Sequence, residues 1–305
     1  KQNCAFGRNA LYSNTVANNN NAFGYTALYS NTIGTNNCAF GYQSMYANTT
    51  GENNSAFGNF ALISNTTGNE NTAIGVQTLY SNTTGTRNTA TGSTAMWSLT
   101  TGGFNAGYGT DALSNLTSGS NNTALGTAAG RSISTNSHNT MIGSYAGNLV
   151  TGSNNIFIGA LTGKNNTDGQ NNILIGSSAG ESNQSGQNNI FMGTNAGKNL
   201  LTDNNIAIGT QAGENNIDGT RNIYIGFRAG VNAIGDNNIL FGNEAGLAVT
   251  TGESNVFMGS QAGANTTTGS GNVFLGYQSG YNTTSGKNSM FIGFESGYKK
   301  QSGND

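Results

Sequence analysis

A glycine preceded by a large side chain recurs every 16 or 17 residues along the whole 305-residue chain, and this period constrains the fold more than any other feature. The glycines stand at Gly7, Gly24, Gly41, Gly58, Gly75, Gly92, Gly109, Gly126 and Gly143 in steps of 17. They continue at Gly159, Gly176, Gly193, Gly209, Gly226, Gly242, Gly259, Gly276 and Gly293 in steps of 16 or 17. The residue before each is Phe, Ile, Leu, Met or Tyr except at Thr91, and a second glycine, such as Gly34, Gly51 or Gly219, follows nine or ten residues later in most repeats. A period this short leaves no room for a pair of helices. It fits one coil of a parallel β-solenoid, read as strand, turn, strand, turn, and predicts about 18 stacked coils in one continuous array over 1–305.

Four residues before each glycine stands an Asn, replaced only by Ser289 in the last repeat. Coils stacked in register at about 4.8 Å bring identical amides within reach of each other along the stack. The column containing Asn37, Asn54, Asn71, Asn88, Asn122, Asn155, Asn172, Asn189, Asn205, Asn222, Asn255 and Asn272 is therefore read as a structural hydrogen-bonded ladder. Sequons such as Asn48-Thr49-Thr50 and Asn65-Thr66-Thr67 come with the same composition and are weak signs of glycosylation.

The repeat changes character along the chain. Over 1–120 it reads small-Ala-aromatic-Gly, as in Ser55-Ala56-Phe57-Gly58, followed by Leu or Met and often an aromatic. Residues 121–153 are transitional, and over 154–305 the pattern is Ile-aromatic-Ile-Gly followed by Ala-Gly, as in Ile156-Phe157-Ile158-Gly159. Alternate strand residues point to opposite faces, so a strand apolar at every position needs cover on both sides. The central residues Phe157, Leu174, Phe191, Tyr224, Leu240, Phe257, Phe274 and Phe291 are accordingly expected to form an interchain core between copies. In the first zone, Tyr12, Tyr29, Tyr46, Tyr80 and Trp97 form an aromatic column, read either as a ligand strip or as packing within or between chains.

Composition narrows the function classes. Charged residues make up 8% of the chain, the net charge is −2, and proline is absent. Nothing provides the basic footprint that nucleic acid requires, and no run of 18 or more apolar residues offers a membrane-spanning helix. The chain begins inside a repeat without Met and is read as a segment of a longer polypeptide, with any anchor, secretion signal or tip domain lying outside it. Cys4 and Cys38 occupy the same position two repeats apart, about 10 Å by coil spacing, beyond disulfide reach. The single histidine, His138, has no recurring acid or nucleophile beside it, and the 13 acidic residues are scattered, so no catalytic, cofactor or metal site is expected. The Thr column Thr32, Thr49, Thr66, Thr83, Thr100 and Thr117 offers an ordered array of the kind that binds ice, but it fails at Gln184, Leu201, Ile217 and Ile234.

Asn71-Thr72-Ala73-Ile74-Gly75-Val76-Gln77-Thr78-Leu79 and Asn121-Asn122-Thr123-Ala124-Leu125-Gly126 resemble the head repeats of YadA-like trimeric autotransporter adhesins. Asn37-Cys38-Ala39-Phe40-Gly41-Tyr42-Gln43-Ser44-Met45 is similar to the Asn-Thr-Ala-Phe-Gly arrays of bacterial surface proteins and phage tail fibres. The repeat covers the whole chain; its coil is two or three residues longer than the typical adhesin repeat, and it carries aromatics where that family usually has Ala. The resemblance implies a left-handed β-roll, three copies packed side by side, and an extracellular, cell-surface or virion location. It also implies a structural or adhesive fibre whose partners are its own copies and cell-surface glycans or a host receptor. The glycine punctuation of the period itself marks Gly24, Gly41, Gly58, Gly75, Gly126, Gly159, Gly176, Gly193, Gly226, Gly259 and Gly276 as structural turn glycines. The alternatives are a self-assembling extracellular filament subunit and an ice-binding solenoid.

Overall fold

The computed structural model describes residues 2–299. The chain is an all-β solenoid with one three-residue strand per repeat and no helix among the described residues. It divides into two compact units, Lys1–Asn154 and Asn155–Asp305. The first unit holds β1 (Cys4–Phe6), β2 (Asn21–Phe23), β3 (Cys38–Phe40), β4 (Ser55–Phe57), β5 (Thr72–Ile74), β6 (Thr89–Thr91), β7 (Ala106–Tyr108), β8 (Thr123–Leu125) and β9 (Thr140–Ile142). The second holds β10 (Ile156–Ile158), β11 (Ile173–Ile175), β12 (Ile190–Met192), β13 (Ile206–Ile208), β14 (Ile223–Ile225), β15 (Ile239–Phe241), β16 (Val256–Met258), β17 (Val273–Leu275) and β18 (Met290–Ile292). Within each unit consecutive strands pair in parallel and in register, as Ala39 with Ala56 and Phe257 with Phe274.

The sequence pattern predicts two strands per coil, and here the structure differs. The half-coil after the glycine is not extended, because its second and fourth residues have left-handed backbones, as at Gln43 (φ 52) and Met45 (φ 52). It still bonds to its neighbour like a sheet: Met45 N donates to Ala61 O at 3.0 Å and Ala47 N to Ile63 O at 3.0 Å. The strand-end glycine has a different task. Gly41 has φ 140, and a β-carbon on it would run into the Gly58 carbonyl of the next coil, so backbones stack there without side chains between them.

The interior is filled from two positions that trade volume. In the first unit the central strand residue is small through β8, as Ala39, Ala56 and Ala73, and the space opposite is taken by residues such as Met45, Leu62 and Leu79, all 0% exposed. Those side chains sit on the left-handed fourth position (Leu62, φ 51), a conformation that costs a non-glycine residue roughly 1–2 kcal/mol, less than the burial of the side chain contributes. In the second unit the large side chain is central, as Phe157 and Leu174, except at Ala207 of β13, and the left-handed position is glycine. A β-carbon on Gly163 would lie 2.9 Å from Phe157 Cε2, and one on Gly180 2.7 Å from Leu174 Cδ1. The coil of Ala124 and Gly130 has neither bulky residue; Leu113, Ile133 and Met141 fill it, with Met141 Cε 2.7 Å from where a Gly130 β-carbon would stand.

Candidate functional site

Every Asn of the ladder over 37–272 is buried, including Asn37, Asn54, Asn172 and Asn272 at 0% exposure. The amide does more than pair with its own kind. Asn54 Oδ1 accepts from the backbone N of Asn71 at 2.9 Å, and Asn54 Nδ2 donates to the Gly68 carbonyl at 2.8 Å and to Asn37 Oδ1 at 3.2 Å. In most coils the Asn thus ties the start of its coil to the end of it and to both neighbouring coils; at Asn222 the Nδ2 has no partner, and Asn205 Nδ2 turns back to Thr202 Oγ1 and the Asp203 carbonyl. A second buried Asn column, missed in the sequence pattern, runs seven residues after the glycine: Asn48 Nδ2 donates to Asn31 Oδ1 at 2.8 Å, Asn65 to Asn48 at 2.7 Å and Asn82 to Asn65 at 2.8 Å. Its signal was the run Asn14, Asn31, Asn48, Asn65, Asn82 at constant spacing. It stops where Leu99 replaces Asn, and Asn82 Oδ1 is left without a partner. Asn48 and Asn65, the asparagines of the two sequons, are 0% exposed and belong to this column, which closes them to a glycosylating enzyme once the chain is folded.

The outward surface carries the remaining candidates. Tyr12 and Tyr29 are stacked with centroids 5.0 Å apart and planes 1° from parallel; Tyr29 and Tyr46 follow at 5.1 Å and 9°, and Tyr80 and Trp97 at 5.7 Å and 20°. Ile63 occupies the position between the two groups. Tyr12 is 67% exposed and Trp97 41%, while Tyr29, Tyr46 and Tyr80 are half-buried. The column is therefore at the surface, and its rings cover each other's faces. It offers outward mainly ring edges and hydroxyls, not the flat platform on which a sugar ring stacks. Two further columns accompany it in this unit: Phe23, Phe40 and Phe57, stacked at 4.5 and 5.1 Å, and Tyr25 with Tyr42 at 5.3 Å.

The interchain core is corrected. Phe157, Leu174, Phe191, Tyr224, Leu240, Phe257 and Phe274 are 0% exposed within the single chain, and Phe291 is half-buried in the last described coil. They fill the coil's own interior, because the central strand residue points inward in every strand of this unit. The outward residues are the first and third of each strand. In β10 to β18 all of these are Ile, Val, Leu, Met or Phe, two on each of nine strands. Ile156, Ile173, Met192, Ile239, Phe241 and Met258 are 36–46% exposed. In the first unit the first strand position is instead small or polar, as Asn21, Ser55, Thr72 and Thr89.

The other polar residues are absorbed by the stack. Thr49 Oγ1 donates to the Thr66 carbonyl at 3.0 Å and Thr66 Oγ1 to the Thr83 carbonyl at 3.0 Å, so these hydroxyl protons point along the coils. His138 lies 3.5 Å from the Asn121 amide on a left-handed turn position (φ 62). Cys4 and Cys38 are free thiols, and burial raises the Cys38 pKa. Glu70 and Arg87 pair at 2.9 Å, and the hydrogen bond from Arg87 lowers the Glu70 pKa. Among the described residues no three His, Cys, Asp or Glu side chains gather as a metal site, and no helix is long and apolar enough to cross a membrane.

No protein-family model and no curated protein sequence matches the chain.

Proposed function

We propose that this chain is a structural segment of an extracellular fibre, of the surface-adhesin or tail-fibre-shaft kind, whose copies pack side by side through the second unit. The observation that carries the reading is the outward strand face of β10 to β18, apolar at every position. Such a face on a lone molecule is an association site. Its two outward side chains on each of nine strands approach the 20–30 residues that one side of a stable interface engages, by a rough count. A second and third copy of the same chain are the occupants favoured here. Each presents the same apolar surface, and the repeats resemble those of trimeric adhesin heads. The exposed aromatic columns of the first unit are the candidate attachment surface for a glycan or receptor, met through ring edges and hydroxyls.

Sedimentation equilibrium tests the assembly: three times 31.3 kDa is expected. A double variant, Ile173→Lys with Ile225→Lys, should sediment as a monomer and keep its β-type circular dichroism, because both side chains lie outside the coil. A wild-type monomer at all concentrations would overturn the side-by-side reading. Attachment is tested separately with Tyr29→Ser and Tyr46→Ser, which should weaken binding to host surfaces while the solenoid stays folded.

A further inference from the structure

We propose that the Tyr12–Tyr29–Tyr46 column is a site of oxidative cross-linking, at which a dityrosine bond joins neighbouring coils. This goes beyond the fibre reading and does not depend on it. In-register stacking sets successive rings nearly parallel, with centroids 5.0 Å apart at 1° and then 5.1 Å apart at 9°. The two phenols of each pair are therefore held one coil apart with their ring planes together. The column is also reachable: Tyr12 is 67% exposed, and Tyr29 and Tyr46 are half-buried. Ile63 ends it on one side. No disulfide crosses the coils of this unit, since Cys4 and Cys38 are free thiols whose strands are separated by β2, where Asn21 stands between them in register.

The chemistry requires a two-electron oxidant, which we assign to peroxide acting through a peroxidase. Each of two phenols gives up one hydrogen atom, as a proton and an electron, and the peroxide is reduced to two waters. The two phenoxyl radicals couple by a carbon–carbon bond between their ortho positions. Each ortho hydrogen then leaves its carbon as a proton and the phenol oxygen regains one, restoring both aromatic rings. The protein loses two hydrogens per bond. Holding the partners one coil apart makes the coupling intramolecular and gives it a large advantage over encounters between molecules. Rotation about the side-chain torsions of these surface residues brings the ortho carbons together. The product closes a loop of one coil, which removes conformations from the unfolded chain as any short covalent loop does.

The test treats the full chain with horseradish peroxidase and hydrogen peroxide at several protein concentrations, followed by thermolysin digestion and mass spectrometry. The expected result is a fragment pair linking Tyr29 to Tyr12 or to Tyr46, lighter by two hydrogens, with a yield per chain independent of protein concentration. Tyr29→Phe, which keeps the ring and the stack, should abolish both links, whereas Tyr12→Phe should leave the Tyr29–Tyr46 link. Linked material should melt at a higher temperature than untreated chain. Links that form only between molecules, or at equal yield in chain unfolded by urea, would overturn the proposal, as would dityrosine that avoids this column.

Discussion

The ring of Phe257 occupies the space that a side chain on Gly263 would need: a β-carbon there would lie 2.5 Å from Phe257 Cε2, and the glycine has φ 57. Strand centre and left-handed turn thus share one pocket, and only one of them can be large. Gly263→Ala meets both the clash and the backbone preference, so its destabilisation is expected at about 2–4 kcal/mol. Phe257→Ala with Gly263→Leu, which copies the first unit's arrangement of Ala56 with Leu62, should recover a large part of that loss. Denaturant melts of the single and double variants measure the coupling.

Asn166 is 0% exposed, and neither its Nδ2 nor its Oδ1 has a hydrogen-bond partner. At the same repeat position Leu99, Leu116, Ile133, Val150, Leu200 and Val249 are all buried. Asn166→Leu should therefore stabilise the second unit by about 1–3 kcal/mol, the usual penalty for an unmet buried polar group. The change would be read from a higher urea midpoint at unchanged slope. A lower midpoint would mean that the amide holds an internal water whose loss outweighs the gain.

Tyr224 fills the coil of Ala207 and Gly213 and keeps its hydroxyl satisfied. The phenol donates to the Ala233 carbonyl at 3.2 Å and accepts from Asn216 Nδ2 at 3.2 Å. Burial raises its pKa far above the ordinary 10.0, with Asp236 adding to the shift and the Asn216 hydrogen bond opposing it. The folded form thus holds its proton where the unfolded chain releases it. The stability this contributes is complete below pH 10.0 and falls as pH rises above that value. Urea midpoints at pH 8 and pH 11 should show the loss in wild type and a smaller one in Tyr224→Phe.

The period, the strand beside each glycine and the buried Asn column were legible because stacking imposes the same demand on every coil. Which strand face is the inside was not. In Ile156-Phe157-Ile158 both faces are apolar, so alternation marks two sides without naming the inner one. The distinguishing signal was the exchange between positions: Ala39 goes with Met45 and Phe157 with Gly163, a trade that makes sense only if the central strand residue and the fourth residue after the glycine share one interior. The extended second half-coil failed for a related reason. Residues such as Gln43 and Met45 carry no local mark of a left-handed backbone; here the backbone N of Gln43 donates to Tyr25 O of the preceding coil and that of Met45 to Ala61 O of the next.

Asn54 tests how far the stack depends on its polar spine. Replacing it with Leu would keep much of the volume but remove an acceptor from the Asn71 backbone N and a donor from the Gly68 carbonyl and Asn37 Oδ1. The Gly68 carbonyl keeps Asn65 Nδ2 at 3.0 Å and Asn37 Oδ1 keeps the backbone N of residue 54 at 3.0 Å, so only the buried Asn71 N is orphaned and the loss should be about 1–3 kcal/mol. Asn54→Asp separates the two tasks. The carboxylate still accepts from Asn71 N, but it turns a repulsive oxygen toward the Gly68 carbonyl and brings a charge into the interior, so it should destabilise at neutral pH and partly recover in acid as the group takes up a proton. Because each coil rests on its neighbours, hydrogen exchange should show the damage concentrated in the coils on either side of Gly58 and fading along the first unit. Uniform loss of protection across that unit would instead mean that it melts as one cooperative block.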